Sequence, residues 1–274
     1  MNIKNVYRAI DYIENNLKSN LSVENIADYA GYSIYYFSRI FNKTTGHSPY
    51  DYMIRRKLSD AANELINTDK KIIDIAFEYQ FKNPETFTRA FDKMFNCLPS
   101  HIRTLNNLDK LILKEAITKE YLNYITNSML DIKTEIVNEG ITYFIGLVTN
   151  DNHPNGPQTS IINHNNDPKK YKEKYIIHFN PVNYKNKTKM IAYKAHSLED
   201  TPSIYVGKKI PGHKYSKFTL TTNQLNMKYI FQYLYQTKLK FTQINFNSPY
   251  AIEKINKNAD DSDKITITLF IPLD

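Results

Sequence analysis

The 274-residue sequence contains one cysteine, Cys97. A single thiol can form neither an internal disulfide nor a cysteine-rich zinc site, which fits a reducing compartment. No apolar stretch approaches the roughly 18 residues needed to span a bilayer, and no basic-then-apolar leader opens the chain. Neither membrane insertion nor secretion is indicated, and the cytoplasm is the expected location. Glycine is scarce at seven residues, and none of them builds a phosphate-binding loop. A Gly-x-Ser-x-Gly elbow and a paired-carboxylate motif are also missing. His153, His164, His178, His196 and His213 share no metal-ligand spacing on a helix. A non-enzymatic protein without metal or cofactor is therefore expected.

The formal charge of +8 suggests an anionic partner, yet its distribution weakens the inference. Residues 1–105 carry 14 Lys+Arg against 12 Asp+Glu, a net of +2, and the remainder carries the other +6. Groove binding depends on a few basic residues on the right face, so patterning has to decide. The length suits two domains, each with its own core.

An internal repeat supplies the pattern. Ile26-Ala27 aligns with Ile75-Ala76, and Tyr32 with Phe81. After one extra residue in the second copy, Phe37, Arg39, Phe41, Lys43 and Pro49 align with Phe87, Arg89, Phe91, Lys93 and Pro99. Each copy reads as helix, tight turn, helix. In the first, Ser22 caps a helix that Gly31 ends in a left-handed conformation, and Ser33 caps the next. Phe37, Ile40 and Phe41 then face inward, leaving Tyr35, Ser38, Arg39 and Asn42 at i, i+3, i+4 and i+7 outside. In the second, Asn83 caps, Pro84 takes the first helical position, and Phe87, Phe91 and Phe95 point inward. Glu85, Thr88, Arg89 and Asp92 face out. Between the copies, Ile54, Leu58, Ala61, Ala62 and Leu65 make the apolar stripe of a helix from Ser48-Pro49 to about Asn67. Its length of roughly 28 Å would hold two reading helices near successive major grooves, whose repeat is about 34 Å.

These residues resemble the AraC/XylS family of bacterial transcription activators. The resemblance runs from about Val6 to Arg103 and rests on Leu21-Ser22-Val23-Glu24-Asn25-Ile26-Ala27, Ala30-Gly31-Tyr32-Ser33, Phe37-Ser38-Arg39-Ile40-Phe41, Thr45-Gly46-His47-Ser48-Pro49, Arg56-Lys57-Leu58, Ile75-Ala76, Thr86-Phe87-Thr88-Arg89-Ala90-Phe91, Pro99 and Arg103. It implies that Tyr35, Ser38 and Arg39 read one major-groove segment of double-stranded DNA, and Glu85, Thr88 and Arg89 the adjacent one. It also implies RNA polymerase as a partner. Where related members commonly have two glutamines, this chain has Pro84-Glu85. Glu85 suits both cytosine readout and the positive end of the helix dipole. Lys43, Arg55, Lys82 and Lys93 are candidates for phosphate contact or for an ordinary solvated face.

Beyond Leu105, a connecting helix or linker is expected over 106–131, with Leu108, Leu111, Ile112 and Glu115 at helical spacing. Strands are expected at Ile141–Val148, Tyr175–Phe179, Lys189–Tyr193, Ser203–Lys208, Tyr215–Leu220 and Ile265–Ile271, with a helix through Met227, Ile230, Phe231 and Leu234. Residues 132–274 resemble the gyrase-inhibitor-like effector-binding domain through Ile145-Gly146, Ile210-Pro211-Gly212-His213-Lys214-Tyr215, Tyr233, Glu253 and Ile271-Pro272-Leu273. That family has two strand-helix-strand-strand repeats around a groove. The first repeat's helix would lie between Thr159 and Tyr171, a stretch rich in Asn and His that also holds Pro168. The resemblance implies a lipophilic, cationic effector held by Glu253, with Tyr193, Tyr215, Phe246 and Tyr250 as candidate groove aromatics. Each of these also fits a plain sheet or surface role.

The expected architecture is multidomain: an all-α double helix-turn-helix, homeodomain-like DNA-binding domain over 1–105, then an α+β effector-binding domain with an antiparallel sheet. The expected function is effector-modulated, sequence-specific transcription regulation, in the main activation. The alternative is a small-molecule scavenger or hydrolase with an autoregulatory DNA-binding half.

Overall fold

The computed structural model describes residues 3–108, 111, 113–128, 130–150, 173–179, 181, 188–199, 201–223, 225–235, 250–257 and 265–273. Two compact units part at Thr126 and Asn127.

The first unit is helical. α1 (Ile3–Asn15) buries Val6, Ala9, Ile10 and Ile13, the i, i+3, i+4, i+7 stripe of one helix face. α2 (Val23–Tyr29) starts at a capping box in which Ser22 Oγ accepts from Asn25 N and Asn25 Oδ1 accepts from Ser22 N. α3 (Ile34–Thr45) follows a turn closed by Gly31 at φ +75°. Ser33 sits at its N-cap in extended conformation without the expected side-chain bond. α4 (Pro49–Asn67) has 19 residues and buries Leu58, Ala61, Ala62 and Leu65; Ile54, expected in that stripe, is only half-buried. α5 (Ile72–Glu78) and α6 (Pro84–Phe95) repeat α2 and α3, and α7 (Pro99–Leu105) closes the set. Both inter-helix turns carry the same backbone bond, from Tyr32 N to Ala27 O and from Phe81 N to Ala76 O, each 3.0 Å. Gln80, at φ +62°, takes in the second turn the left-handed place that Gly31 takes in the first.

The expected connecting helix starts later than its spacing suggests. Residues 113–118 have no regular secondary structure, and α8 covers only Lys119–Asn127. Three contacts fasten this stretch to α4. Arg56 Nη1 donates to Lys114 O at 2.6 Å, Lys114 N to Ser59 Oγ at 2.7 Å, and Ile117 N to Tyr52 Oη at 3.1 Å. Those bonds satisfy backbone groups that a helix would have paired internally.

The second unit is one antiparallel sheet with strand order β1-β6-β8-β7-β3-β4-β2-β5. Its strands are β1 (Asp131–Glu139), β2 (Thr142–Asn150), β3 (Lys174–Phe179), β4 (Thr188–Ala195), β5 (Val206–Ile210), β6 (His213–Thr222), β7 (Tyr250–Lys257) and β8 (Ile265–Pro272). β1 and β7 were not expected as strands, and the Ser203–Lys208 strand is displaced to Val206–Ile210. The sheet curls. Val137, Tyr215 and Phe270, from the β1 end of the order, pack in one buried cluster with Phe144 and Ile210 from the β5 end. Ile267, Leu269 and Ile271 alternate onto the outer face, as the period-2 pattern requires. α9 (Met227–Tyr233) stands on that face, its Phe231 ring 4.8 Å from His178. The stretch Thr159–Tyr171 lies outside the described residues. No described helix is long and apolar enough to cross a membrane.

Two glycines should respond differently to alanine. A Cβ on Gly146 would fall 1.9 Å from Ile191 O across the β2–β4 ladder, whereas one on Gly31 meets nothing within 4 Å. Gly146→Ala is expected to cost about 1–3 kcal/mol through overpacking. Gly31→Ala should cost roughly 1 kcal/mol from backbone conformation alone. Urea denaturation of each variant measures both, and the account of the β2–β4 approach fails if Gly146→Ala is neutral.

Candidate nucleic-acid interface

α3 and α6 present equivalent faces. Phe37 and Phe41 on α3 are fully buried, as are Phe87 and Phe91 on α6. Their ring centroids lie 5.4 Å and 5.6 Å apart in the same tilted arrangement. Phe95 extends the second stack at 4.7 Å from Phe91 but is only half-buried. With that face fixed inward, helical spacing turns the others out. Tyr35 and Glu85 are exposed, Ser38 and Thr88 half-buried, Arg39 and Arg89 exposed, position for position. Asn83 Oδ1 accepts from Thr86 N at 2.8 Å, and Pro84 occupies the first turn where its missing N–H costs nothing. Both helices end left-handed, at Gly46 and Asn96.

Two tethers join the copies through α4. Lys57, buried on α4, donates to Ser19 O at 3.3 Å, just ahead of α2, and to Tyr79 O at 3.1 Å, at the end of α5. Burial lowers the pKa of this ammonium. A surface network does the same work nearby. Lys18 meets Glu64 and Glu78 at 2.8 and 3.0 Å, and Lys70 meets the same two carboxylates at 2.6 and 2.8 Å. Burial alone would raise the Glu64 carboxyl, but hydrogen bonds from Lys18, Lys70 and Tyr79 outweigh it and hold the pKa at about 2.

The helix-turn-helix domain family matches residues 26–104, which takes in both copies. The multiple antibiotic resistance protein MarA of Escherichia coli is 36% identical over 101 residues, 37% of this chain and 80% of that protein. The chain belongs to the AraC family of helix-turn-helix transcription regulators. Another relative, the uncharacterized HTH-type transcriptional regulator YbfP of Bacillus subtilis, is 37% identical over 126 residues, 46% of this chain and 40% of that one. The transcriptional regulator Rob of Salmonella typhimurium is 41% identical over 92 residues, 34% of this chain and 32% of its own length. The chain thus spans less than half the length of YbfP and of Rob.

In this AraC-family chain the candidate phosphate residues fall in different settings. Lys43 and Lys93 are exposed in the last turns of α3 and α6, and Lys82 is exposed in the turn before α6. Arg55 is already engaged, its Nε donating to Asp51 Oδ1 at 3.0 Å, and Asp51 also receives His47 Nδ1 at 2.8 Å.

The candidate effector residues divide between the two faces of the sheet. Glu253 is buried on the outer face, 2.5 Å from His178 Nε2. Tyr193 shares that face, since Tyr193 pairs with Lys174 and Glu253 with Ile176, residues two apart on β3. Tyr215 and Tyr250 are on the inner face with their hydroxyls 3.2 Å apart. Phe246 lies outside the described residues. The inner face holds a cavity of about 250 Å³ lined by Phe144, Tyr175, Tyr215 and Phe270, with Glu139, Glu173, Lys194 and Lys254 also contributing. Lys254 pairs with Glu173, which also accepts from the Tyr175 hydroxyl at 2.6 Å. Burial, then neighbouring groups including Glu139, pushes the Tyr175 and Tyr215 hydroxyls above their usual pKa. Sequence reading missed Tyr175, Phe144 and Phe270 as a group. They come from three strands, and only the curl unites them.

The carboxylate network gives an acid dependence. Because the folded pKa of Glu64 is below its unfolded value, its contribution is complete above about pH 4.5 and fades as pH falls toward 2. With Lys18 and Lys70 largely exposed, roughly 1 kcal/mol is expected after screening. Urea titrations from pH 6 to pH 2 should show wild type losing that margin over Glu64→Gln, and a constant difference would rule the network out as a tether.

Proposed function

We propose that the chain regulates transcription by reading two successive major-groove segments of double-stranded DNA as a monomer. Tyr35, Ser38 and Arg39 would read one segment, and Glu85, Thr88 and Arg89 the next. The observation that carries this reading is the match in exposure between α3 and α6 at the three paired reading positions, Tyr35 with Glu85, Ser38 with Thr88 and Arg39 with Arg89. An exposed arginine at the same place on each helix suits bidentate recognition of guanine O6 and N7. Ser38 and Thr88 offer hydroxyls to either base type. Glu85 suits a cytosine amine while also stabilising the start of α6. Lys43, Lys82 and Lys93, all exposed, would neutralise phosphates, and Arg55 would do so alongside its bond to Asp51. Activation through RNA polymerase is the regulatory outcome that the AraC resemblance supports.

The second unit's part in this reading is to take a small effector. The inner-face cavity supports it, with aromatic walls and four charged residues in its lining. The order β6, α9, β7, β8 matches one strand-helix-strand-strand repeat of a gyrase-inhibitor-like domain. Glu253 would receive a cationic effector only by exchanging His178 for it.

Selection from a random DNA pool, followed by affinity measurements on single-base variants, tests the DNA reading. Arg39→Ala and Arg89→Ala should each cost about 1–3 kcal/mol and relax preference in one half-site. Lys43→Ala should weaken all sequences alike and reduce the salt slope by about one. Uniform loss with full base preference in the arginine variants would show that these side chains are not readers.

A further inference from the structure

The two reading helices match in exposure at their reading positions and carry an arginine at the same place, but those arginines have different neighbours. The Arg39 guanidinium stands over the Tyr36 ring, 5.8 Å from its centroid. Tyr36 is tilted against Tyr32 with centroids 5.0 Å apart. Tyr32 Oη in turn accepts from Asn5 Nδ2 of α1 at 3.2 Å. A line of contacts therefore runs from α1, through the turn, to an exposed arginine on α3.

The second copy breaks that line at two places. Thr86 occupies the position of Tyr36, and its hydroxyl donates to the N-cap Asn83 Oδ1 at 2.7 Å. Phe81 occupies the position of Tyr32, but its ring is buried edge-on against Phe87 at 5.2 Å and offers no hydroxyl. Among the described residues no aromatic ring stands over Arg89. A guanidinium resting on a ring face samples fewer rotamers, so it has less freedom to lose when it meets a base edge.

We propose that Tyr36 is a positioning residue for Arg39: the first helix-turn-helix reads its half-site with a pre-ordered arginine, and the second with an arginine ordered only on contact. The inference rests on the reading of Arg39 as a base contact. It makes the first half-site the more stringent of the two and assigns Tyr36 a role through its ring face, not its hydroxyl. Tyr36 is 44% exposed, so its replacement leaves the core of the unit intact.

The test uses the full chain and a site chosen by selection, with Tyr36→Leu, Tyr36→Phe, Arg39→Ala and the double variant Tyr36→Leu with Arg39→Ala. The readout is the affinity ratio between the selected base and its substitutes at each half-site, with thermal melts as a folding control. Tyr36→Leu should lower discrimination two- to fivefold at the first half-site only, the factor to which an exposed cation–π contact converts. Tyr36→Phe should retain discrimination, and Tyr36→Leu should add nothing once Arg39 is alanine. Equal losses for Phe and Leu would mean that the hydroxyl touches DNA, and an undiminished Leu effect beside Arg39→Ala would mean that Tyr36 acts alone. Either result overturns the proposal, as does an intact ratio in Tyr36→Leu when Arg39→Ala abolishes it. If Arg39→Ala itself leaves base preference unchanged, the underlying reading of Arg39 fails first, which separates the two failures.

Discussion

The arrangement of the first unit depends on α4. A 19-residue helix is about 28 Å long, and its two ends carry the two helix-turn-helix copies. Length alone would leave each copy free to swivel about its end. Besides the packing of α4 against its neighbours, the buried ammonium of Lys57 restricts that freedom by donating to a carbonyl beside each copy, Ser19 O and Tyr79 O. Burying a charge is costly, and among the described residues no carboxylate forms an ion pair with Lys57. The position is therefore held for geometry, and an apolar side chain of similar length could fill the space without fixing either turn. Lys18, Glu64, Lys70 and Glu78 reinforce the same junction at the surface, where each pair alone would be worth little.

Much of this unit was legible because it is encoded locally. Phe37 and Phe41 against Phe87 and Phe91 gave the inward faces, Gly31 gave the first turn, and Pro49 with the Leu58 to Leu65 stripe gave α4. The failures are tertiary. Residues 113–118 have helical spacing nearby but forgo a helix because Arg56, Ser59 and Tyr52 on α4 satisfy their backbone groups instead. Gln80 at a left-handed φ has no sequence signal; its side chain donates to Lys18 O at 3.0 Å, a bond across 62 residues that offsets the backbone strain. Tyr36 carries no sequence signal that sets it apart, because its place beside Arg39 depends on how the two side chains lie on α3.

The second unit was less readable for a related reason. Alternation along a strand assigns faces, and it did so correctly for Ile267, Leu269 and Ile271. It says nothing of which strands curl toward one another, so the aromatic residues that β2, β3 and β8 add beside Tyr215 were not anticipated. Glu253 was expected to await a cation from solvent. His178, two residues along β3 from the Ile176 that faces Glu253, reaches diagonally across the β3–β7 pair and already occupies that carboxylate, with Phe231 of α9 packed on the imidazole. β1 was missed because its nine residues are mostly exposed and four of them are charged, a pattern that reads as loop until β6 pairs with all of it.

The central claim is that a rigid α4 sets a fixed spacing between two reading helices of one chain. Affinities for a series of sites whose half-sites are separated by zero, five and ten additional base pairs test it most directly. A strut of about 28 Å cannot follow a half-site moved by about 34 Å, so both insertions should reduce binding to that of a single half-site, with no recovery at ten. Recovery at ten base pairs, where the groove faces the protein again, would show that the two copies move independently and contradict the account.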